Sequence, residues 1–410
     1  MRNQNNAVLN LVTVLFVLIG VAAGGFYFLN MNPSDTNEKQ APVQNSSYGQ
    51  NSVTSTGNGQ TSVVSQSSGQ TSLVSQSSPE QSSYSIITCQ RNSEGNPVVY
   101  WDNSDPQSSF DEMAAYVSDL EDKVVIVGKD KNLEWEDVCM ELFWVDSFSI
   151  SSYEGSDEKT YIFKYKPDAA ENKVMQQKID AEVKDIISLI PSGTDDWNKI
   201  LIVHDELVRR VTYNKDSETV HCHDIYGALG EHVAVCQGYT YSMSYIAKRL
   251  NMPCSEISSD THIWNVMPGF QTDECYIDTT WDDIGSYDAD GNPYILHDHF
   301  GLKKYEMESL SEHEPKDVKI NVPTKGIVGD NYFRKKGWYI SSGDSAQLEI
   351  AVKEQLTNGG NMIELRFEDP QDFVDAPDNV NSLLRDIGYV GRYLSWKSDD
   401  LLIFEVGLNP

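Results

Sequence analysis

Residues 7 to 29 read AVLNLVTVLFVLIGVAAGGFYFL, with Asn10 and Thr13 as the only polar side chains. As a helix this run is about 34 Å long, which matches the hydrocarbon core of a bilayer. A segment that is apolar all round and runs straight into a polar low-complexity tract has no soluble core to join, so the sequence predicts one membrane span over residues 1–30. Arg2 and the α-amino group precede the run while Asp35 and Glu38 follow it, a positive-inside bias that sets the remaining chain outside the cytoplasm. Val21-Ala22-Ala23 resembles a signal-peptidase site, but the apolar run continues through Phe26, Tyr27, Phe28 and Leu29, which favours an uncleaved anchor.

Residues 31–85 form a Ser/Gln/Thr/Gly tract with a decapeptide echo, GQNSVTSTGN, GQTSVVSQSS and GQTSLVSQSS, starting at Gly49, Gly59 and Gly69. Such side chains bury too little apolar surface to offset ordering entropy, so the tract reads as a disordered tether with an r.m.s. reach of roughly 40 Å. The formal net charge of the chain is −31, and residues 1–85 contribute only −1 through Arg2, Lys39, Asp35, Glu38 and Glu80. The folded part is therefore strongly acidic and repels phosphate backbones, which argues against a nucleic-acid partner.

From residue 86 onward, mixed apolar and charged segments predict an α+β fold. The pattern suggests a helix over 111–120, a strand KVVIV at 123–127, a strand pair within 148–165 and a long amphipathic helix over 168–189 ended by Pro191. Thr194 can cap the next helix, where Trp197, Leu201, His204, Leu207, Val208 and Val211 form one apolar stripe and His204 reads as packing. Beyond Pro323 the order is strand (337–341), helix (345–356), strand (362–367), helix (380–387) and strand (401–406), a small α/β appendage with no catalytic constellation. The resulting division is 86–195, a catalytic core at 196–320, and a C-terminal domain at 321–410.

Chemistry concentrates in EHVAVCQGYTYSMSYIAKRL, SSDTHIWNVMPGF and ECYIDTTWDD. Cys236 opens a helical pattern with Tyr239, Met243, Ile246, Ala247 and Leu250 on its apolar face, so the thiol lies at the positive end of a helix dipole, which favours a thiolate. His262 begins the strand HIWNV and Asp278 ends the strand ECYID, and a hairpin can hold them side by side. Nucleophile, base and orienting carboxylate would then be Cys236, His262 and Asp278. The plainer reading makes Cys236 a small buried hydrophobe, His262 a core histidine and Asp278 a turn residue.

CQGY, HIWN and DTTWD, in this order, resemble the transglutaminase-like cysteine enzyme superfamily, whose fold is a papain-like α+β core. The resemblance spans residues 197–305, including VTYN before the nucleophile and DHFGLKKYEM after the Asp turn, and it implies Cys236, His262 and Asp278 as the triad. Ile263 stands where relatives usually have a small residue, narrowing what passes beside His262. The Cys236 amide is a natural oxyanion donor, with Gln237, Trp264 or Trp281 as candidates for a second. Gln237, Trp264 and Trp281 are thus the candidate substrate-binding residues, although a Trp beside a strand end is more often core.

Other constellations are weaker. His221-Cys222-His223 has no second ligand pair for a tetrahedral zinc site, DADGN at 288–292 reads as a turn because Ser286 and His297 hold its outer positions, and His297-Asp298-His299 reads as a polar loop. No metal and no cofactor is expected. Leaving out Cys236, the cysteines are Cys89, Cys139, Cys222, Cys254 and Cys275, an odd number, so intramolecular pairing leaves a further thiol free. Together these features predict a membrane-tethered, extracytoplasmic cysteine enzyme acting at an amide bond of a protein or peptide substrate. Hydrolysis is favoured over Gln-Lys cross-linking, and the alternative is an inactive binding or scaffold module.

Overall fold

Asp105 and Pro106 start the first helix five residues earlier than the periodicity suggests. The Asp105 side chain accepts from the Ser108 amide, and Pro106 occupies the first turn, where its missing N–H costs nothing. The computed structural model describes residues 90–129, 132–153, 155–214, 219–269, 274–314, 331–389 and 391–409, which belong to one compact unit. The expected span at 1–30 and tether at 31–85 lie outside the described residues, among which no helix is long and apolar enough to cross a membrane.

The architecture is mixed α+β. The first sheet comprises β1 (Val98–Tyr100), β2 (Lys123–Val127), β3 (Val145–Ser152) and β4 (Glu158–Tyr165) in the order β1-β2-β4-β3, with helices α1 (Pro106–Ser118) and α2 (Trp135–Glu141) between its strands. The anticipated strand pair is the antiparallel β3–β4 ladder. Helix α3 (Asn172–Ser188) follows, and α4 (Asp196–Arg210) is capped by Asp195, not Thr194, because the Asp195 carboxylate reaches the Asn198 amide at 2.9 Å.

Strands β5 (Thr212–Tyr213) and β6 (Val233–Ala234) pair in parallel just before α5 (Cys236–Arg249). Every residue of α5 from Gly238 to Ala247 is buried, whereas the sequence suggested a single apolar face. A helix enclosed on all sides must satisfy its polar groups internally. Thr240 Oγ1 donates to the Ile263 carbonyl at 3.0 Å, and Asn265 Nδ2 donates to the Thr240 carbonyl at 3.1 Å and to Ser244 Oγ at 2.9 Å. These bonds fasten α5 to the second sheet, whose order is β12-β9-β8-β7, with β7 (Ser255–Ser258), β8 (Ile263–Pro268), β9 (Glu274–Ile277) and β12 (Phe300–Leu302). The hairpin β10 (Asp283–Tyr287) and β11 (Pro293–Ile295) projects between β9 and β12, and DADGN is its turn, with Asp288 Oδ1 accepting from the Asp290 and Asn292 amides.

After the short helices α6 (Lys304–Met307) and α7 (Tyr332–Lys336), the C-terminal layer holds β13 (Tyr339–Ile340), α8 (Ser345–Thr357), β14 (Met362–Phe367), α9 (Pro370–Asp386), β15 (Arg392–Ser398) and β16 (Ile403–Asn409). The expected helix at 380–387 begins ten residues earlier. Pro377 reads as a breaker and costs a helix interior about 3 kcal/mol, but Asp369 caps the start and Phe373, Ala376, Val380 and Leu384 bury one face across it. Strand β15 was not anticipated, since RYLSWKS is mostly exposed and pairs only along one edge, with β16. This layer has its own apolar cluster, including Ile363, Leu365, Phe404 and Val406. It is joined to the hairpin by Tyr294, whose hydroxyl donates to the Leu408 carbonyl at 3.1 Å. Gly407 makes room for that contact, because a Cβ there would lie 2.8 Å from the Trp396 ring and 2.9 Å from Tyr294.

Candidate active site

Val235, in extended backbone, is the N-cap of α5 and provides no side-chain cap, so Cys236 is the first helical residue and the amides of the first turn have no intrahelical acceptor. Gly238 allows this start to sit deep, because a Cβ there would lie 2.6 Å from Ala234 Cβ and 3.1 Å from the Cys222 carbonyl. Cys236 keeps partial exposure, and its side chain is near enough to His262 to help raise the ring's pKa.

The hairpin does not set His262 directly opposite Asp278. Asn265 pairs with Ile277, so continuing the register by one residue brings Asp278 across from Trp264, two residues from His262 on the same face. Diagonal neighbours on a sheet remain within reach of long side chains, and His262 Nε2 lies 2.5 Å from Asp278 Oδ2. Nδ1 is thereby left for the thiol. Burial opposes a charged ring, but the Asp278 charge and hydrogen bond, with the Cys236 side chain, outweigh it and raise His262 to about 10. Burial likewise opposes the Asp278 charge, yet His262, His313 and His299 together hold its carboxyl well below the usual range. Its other oxygen accepts from the Thr280 and Trp281 amides at 3.0 and 3.2 Å.

Of the other candidates, Trp264 is fully buried and stacks on His262 at 5.9 Å and 18°, supporting the ring from within the core. Trp281 is half-buried and meets the same ring at 6.0 Å. Gln237 Oε1 lies 2.5 Å from His223 Nδ1, so its side chain is held by the loop before α5. His221 bonds Asp224 and Asp168 while His223 bonds Gln237, so the His221-Cys222-His223 run does not converge on one point. Cys139, Cys222, Cys236 and Cys254 form no disulfide among the described residues, and Cys89 lies outside them.

Two site residues escaped the sequence reading. His313 is completely buried, with Nε2 2.8 Å from Asp278 Oδ2 and Nδ1 2.8 Å from the Ser311 carbonyl, so it shares with His262 the same Asp278 oxygen. It lies beyond the recognisable motifs, in a polar segment with no periodicity. Tyr213, in VTYN, has its phenol raised by burial and then by the negative charges of Cys236, Glu312 and Asp278, so it stands within electrostatic range of the triad. A cavity of about 430 Å³ lined by Asp195, Trp197, Met252, Met267 and Lys335 contains none of the triad.

No protein-family model matches the chain, and no curated protein matches it. Among solved structures, a TGase aligns over 47% of this chain and 61% of its own at 10% identity, with a TM-score of 0.24. Menin, in a structure revealing its binding site for Mixed Lineage Leukemia protein, aligns over 53% of this chain and 48% of its own at 13% identity, with a TM-score of 0.23. A candidate cysteine protease from Cytophaga hutchinsonii aligns over 37% of this chain and 65% of its own at 11% identity, with a TM-score of 0.20. The chain thus spans less than two thirds of each of these proteins, and likeness at such scores carries no argument about activity.

Proposed function

We propose that the protein is a transglutaminase-like cysteine enzyme that transfers the acyl group of an amide, with hydrolysis favoured over cross-linking. The observation that carries this reading is the buried His262–Asp278 pair, with a partly exposed thiol nearby at a helix start. In this mechanism the Cys236 thiolate attacks the amide carbon and a C–S bond forms. First-turn amides of α5 face the developing oxyanion. The C–N bond then breaks as His262 gives its proton to the leaving amine. Water attacks the thioester, His262 takes its proton, and the thiol leaves with the acid released; an amine in place of water completes a cross-link by the same steps. Asp278 stays ionised throughout and holds the ring in orientation.

The full-length chain incubated with a peptide library, with and without an added primary amine, and read by mass spectrometry, tests the proposal. Products carrying the elements of water are expected in both conditions. Amine adducts alone would make the enzyme a cross-linker, and unchanged peptides throughout would favour the inactive module. We further propose, from the apolar run and its flanking charges, that this site works outside the cytoplasm on a membrane tether. Protease added to intact cells then releases the folded part, whereas full protection would reverse the orientation.

A further inference from the structure

Away from the triad, α4 carries His204 and Asp205, and the loop between β11 and β12 carries His297. His204 Nδ1 lies 3.0 Å from Asp205 Oδ1, and His297 Nε2 lies 3.1 Å from that same oxygen. The three atoms fall within 4.8 Å of one another. Each ring is also gripped from its far side by a second carboxylate: His204 Nε2 is 3.1 Å from Asp282 Oδ2, and His297 Nδ1 is 2.7 Å from Glu364 Oε1. Tyr332 donates to the other Glu364 oxygen at 2.9 Å and stacks on His297 at 3.9 Å and 5°. Both histidines are buried, and the Asp205 side chain is 28% exposed.

We propose that His204 Nδ1, Asp205 Oδ1 and His297 Nε2 form a binding site for a divalent transition-metal ion of the zinc type, with a solvent position as fourth ligand. Two imidazoles aimed at one carboxylate oxygen define a single point, which separate ion pairs do not require. Histidine metal ligands give their other N–H to a carboxylate, which fixes the ring and raises its basicity, and here both rings have that partner in place. Zinc distances of about 2.0–2.2 Å set neighbouring ligand atoms about 3.3 Å apart at tetrahedral angles, close to the 3.0 and 3.1 Å seen between each ring and Asp205. Imidazole donors select zinc-type ions over calcium or magnesium. Through Glu364 on β14, the ion would tie the C-terminal sheet to α4 and the catalytic layer. The site stands whether or not Cys236 is a nucleophile.

Calorimetric titration of zinc chloride into chelator-stripped full-length protein tests this, with cobalt(II) in parallel for the visible absorption of a tetrahedral nitrogen–oxygen set. One tight equivalent is expected in the parent. Glu364→Gln should weaken it about 10–100-fold as an outer partner, and His297→Gln by more than that. His313→Gln should leave it unchanged, which separates this site from the His262–Asp278–His313 cluster. A parent protein that takes up no tight equivalent overturns the proposal whatever the variants do. Folded His297→Gln, verified by circular dichroism, that binds as tightly as the parent also overturns it.

Discussion

Cys236→Ala abolishes turnover of any amide that the screen identifies, a fall of about 10⁶-fold, and His262→Ala falls as far, because nucleophile and base act as one unit. Both variants should stay folded. Cys236 is only partly buried and replacing its sulfur with hydrogen removes little volume, while the Asp278 carboxylate retains His313, Thr280 and Trp281 as donors when the His262 ring is removed. Steady-state rates beside circular dichroism check this. Full turnover in folded Cys236→Ala would remove the thiol from the mechanism.

The second large effect is a loss of rate joined to a change of pH range in Asp278→Asn. In the parent, His262 titrates at about 10 in the fold, above its unfolded value near 6.5. The paired ring therefore adds stability that is complete below about 6.5 and lost as pH rises through about 10. Asp278 works the opposite way: its contribution is present above the unfolded value near 3.9 and is lost as pH falls through its depressed folded value. An asparagine keeps a hydrogen-bonding oxygen but removes the charge, which stands first among the influences raising His262. The alkaline limit of activity should move down from about 10 toward 6.5, and kcat should fall about 10⁴-fold. Rate profiles from pH 5 to 10.5, with NMR titration of the His262 ring, provide the check. An unmoved limit would mean that Asp278 does not govern the ring.

How far the site was legible followed from how local its signals are. Cys236 at a helix start, His262 before one strand and Asp278 after the next are short-range patterns, and the chain carries them in contiguous stretches. The diagonal offset across the hairpin was not readable, because register depends on which residues pair, and the ladder from Asn265 against Ile277 to Pro268 against Glu274 sets it. His313 was invisible for a different reason: its contact with Asp278 spans 35 residues. The same limit hid the role of His204. On its helix it is one more buried position in an apolar stripe, and its bond to Asp282 crosses 78 residues. One start signal misled, at Thr194 beside the true cap Asp195, and the helix read from 380 begins at Pro370, where a buried face carries it through Pro377.

The central claim is that the His262 ring and the Cys236 thiol act as a pair, and alkylation of the full-length protein measures it without a substrate. Burial lifts the other thiols that are readily compared, with Cys254 pushed up to about 12 and Cys139 and Cys222 also raised, so brief treatment with iodoacetamide at pH 6 should label Cys236 first. An unassisted thiol with the reference pKa near 8.5 is well under 1% ionised at that pH, whereas a neighbouring imidazolium stabilises the thiolate. Peptide mass spectrometry should therefore show Cys236 reacting about 10–100-fold faster in the parent than in His262→Ala at pH 6, with the two rates converging above pH 9. Equal rates at pH 6 in the two folded proteins would contradict the pairing and leave the fold without its proposed nucleophile.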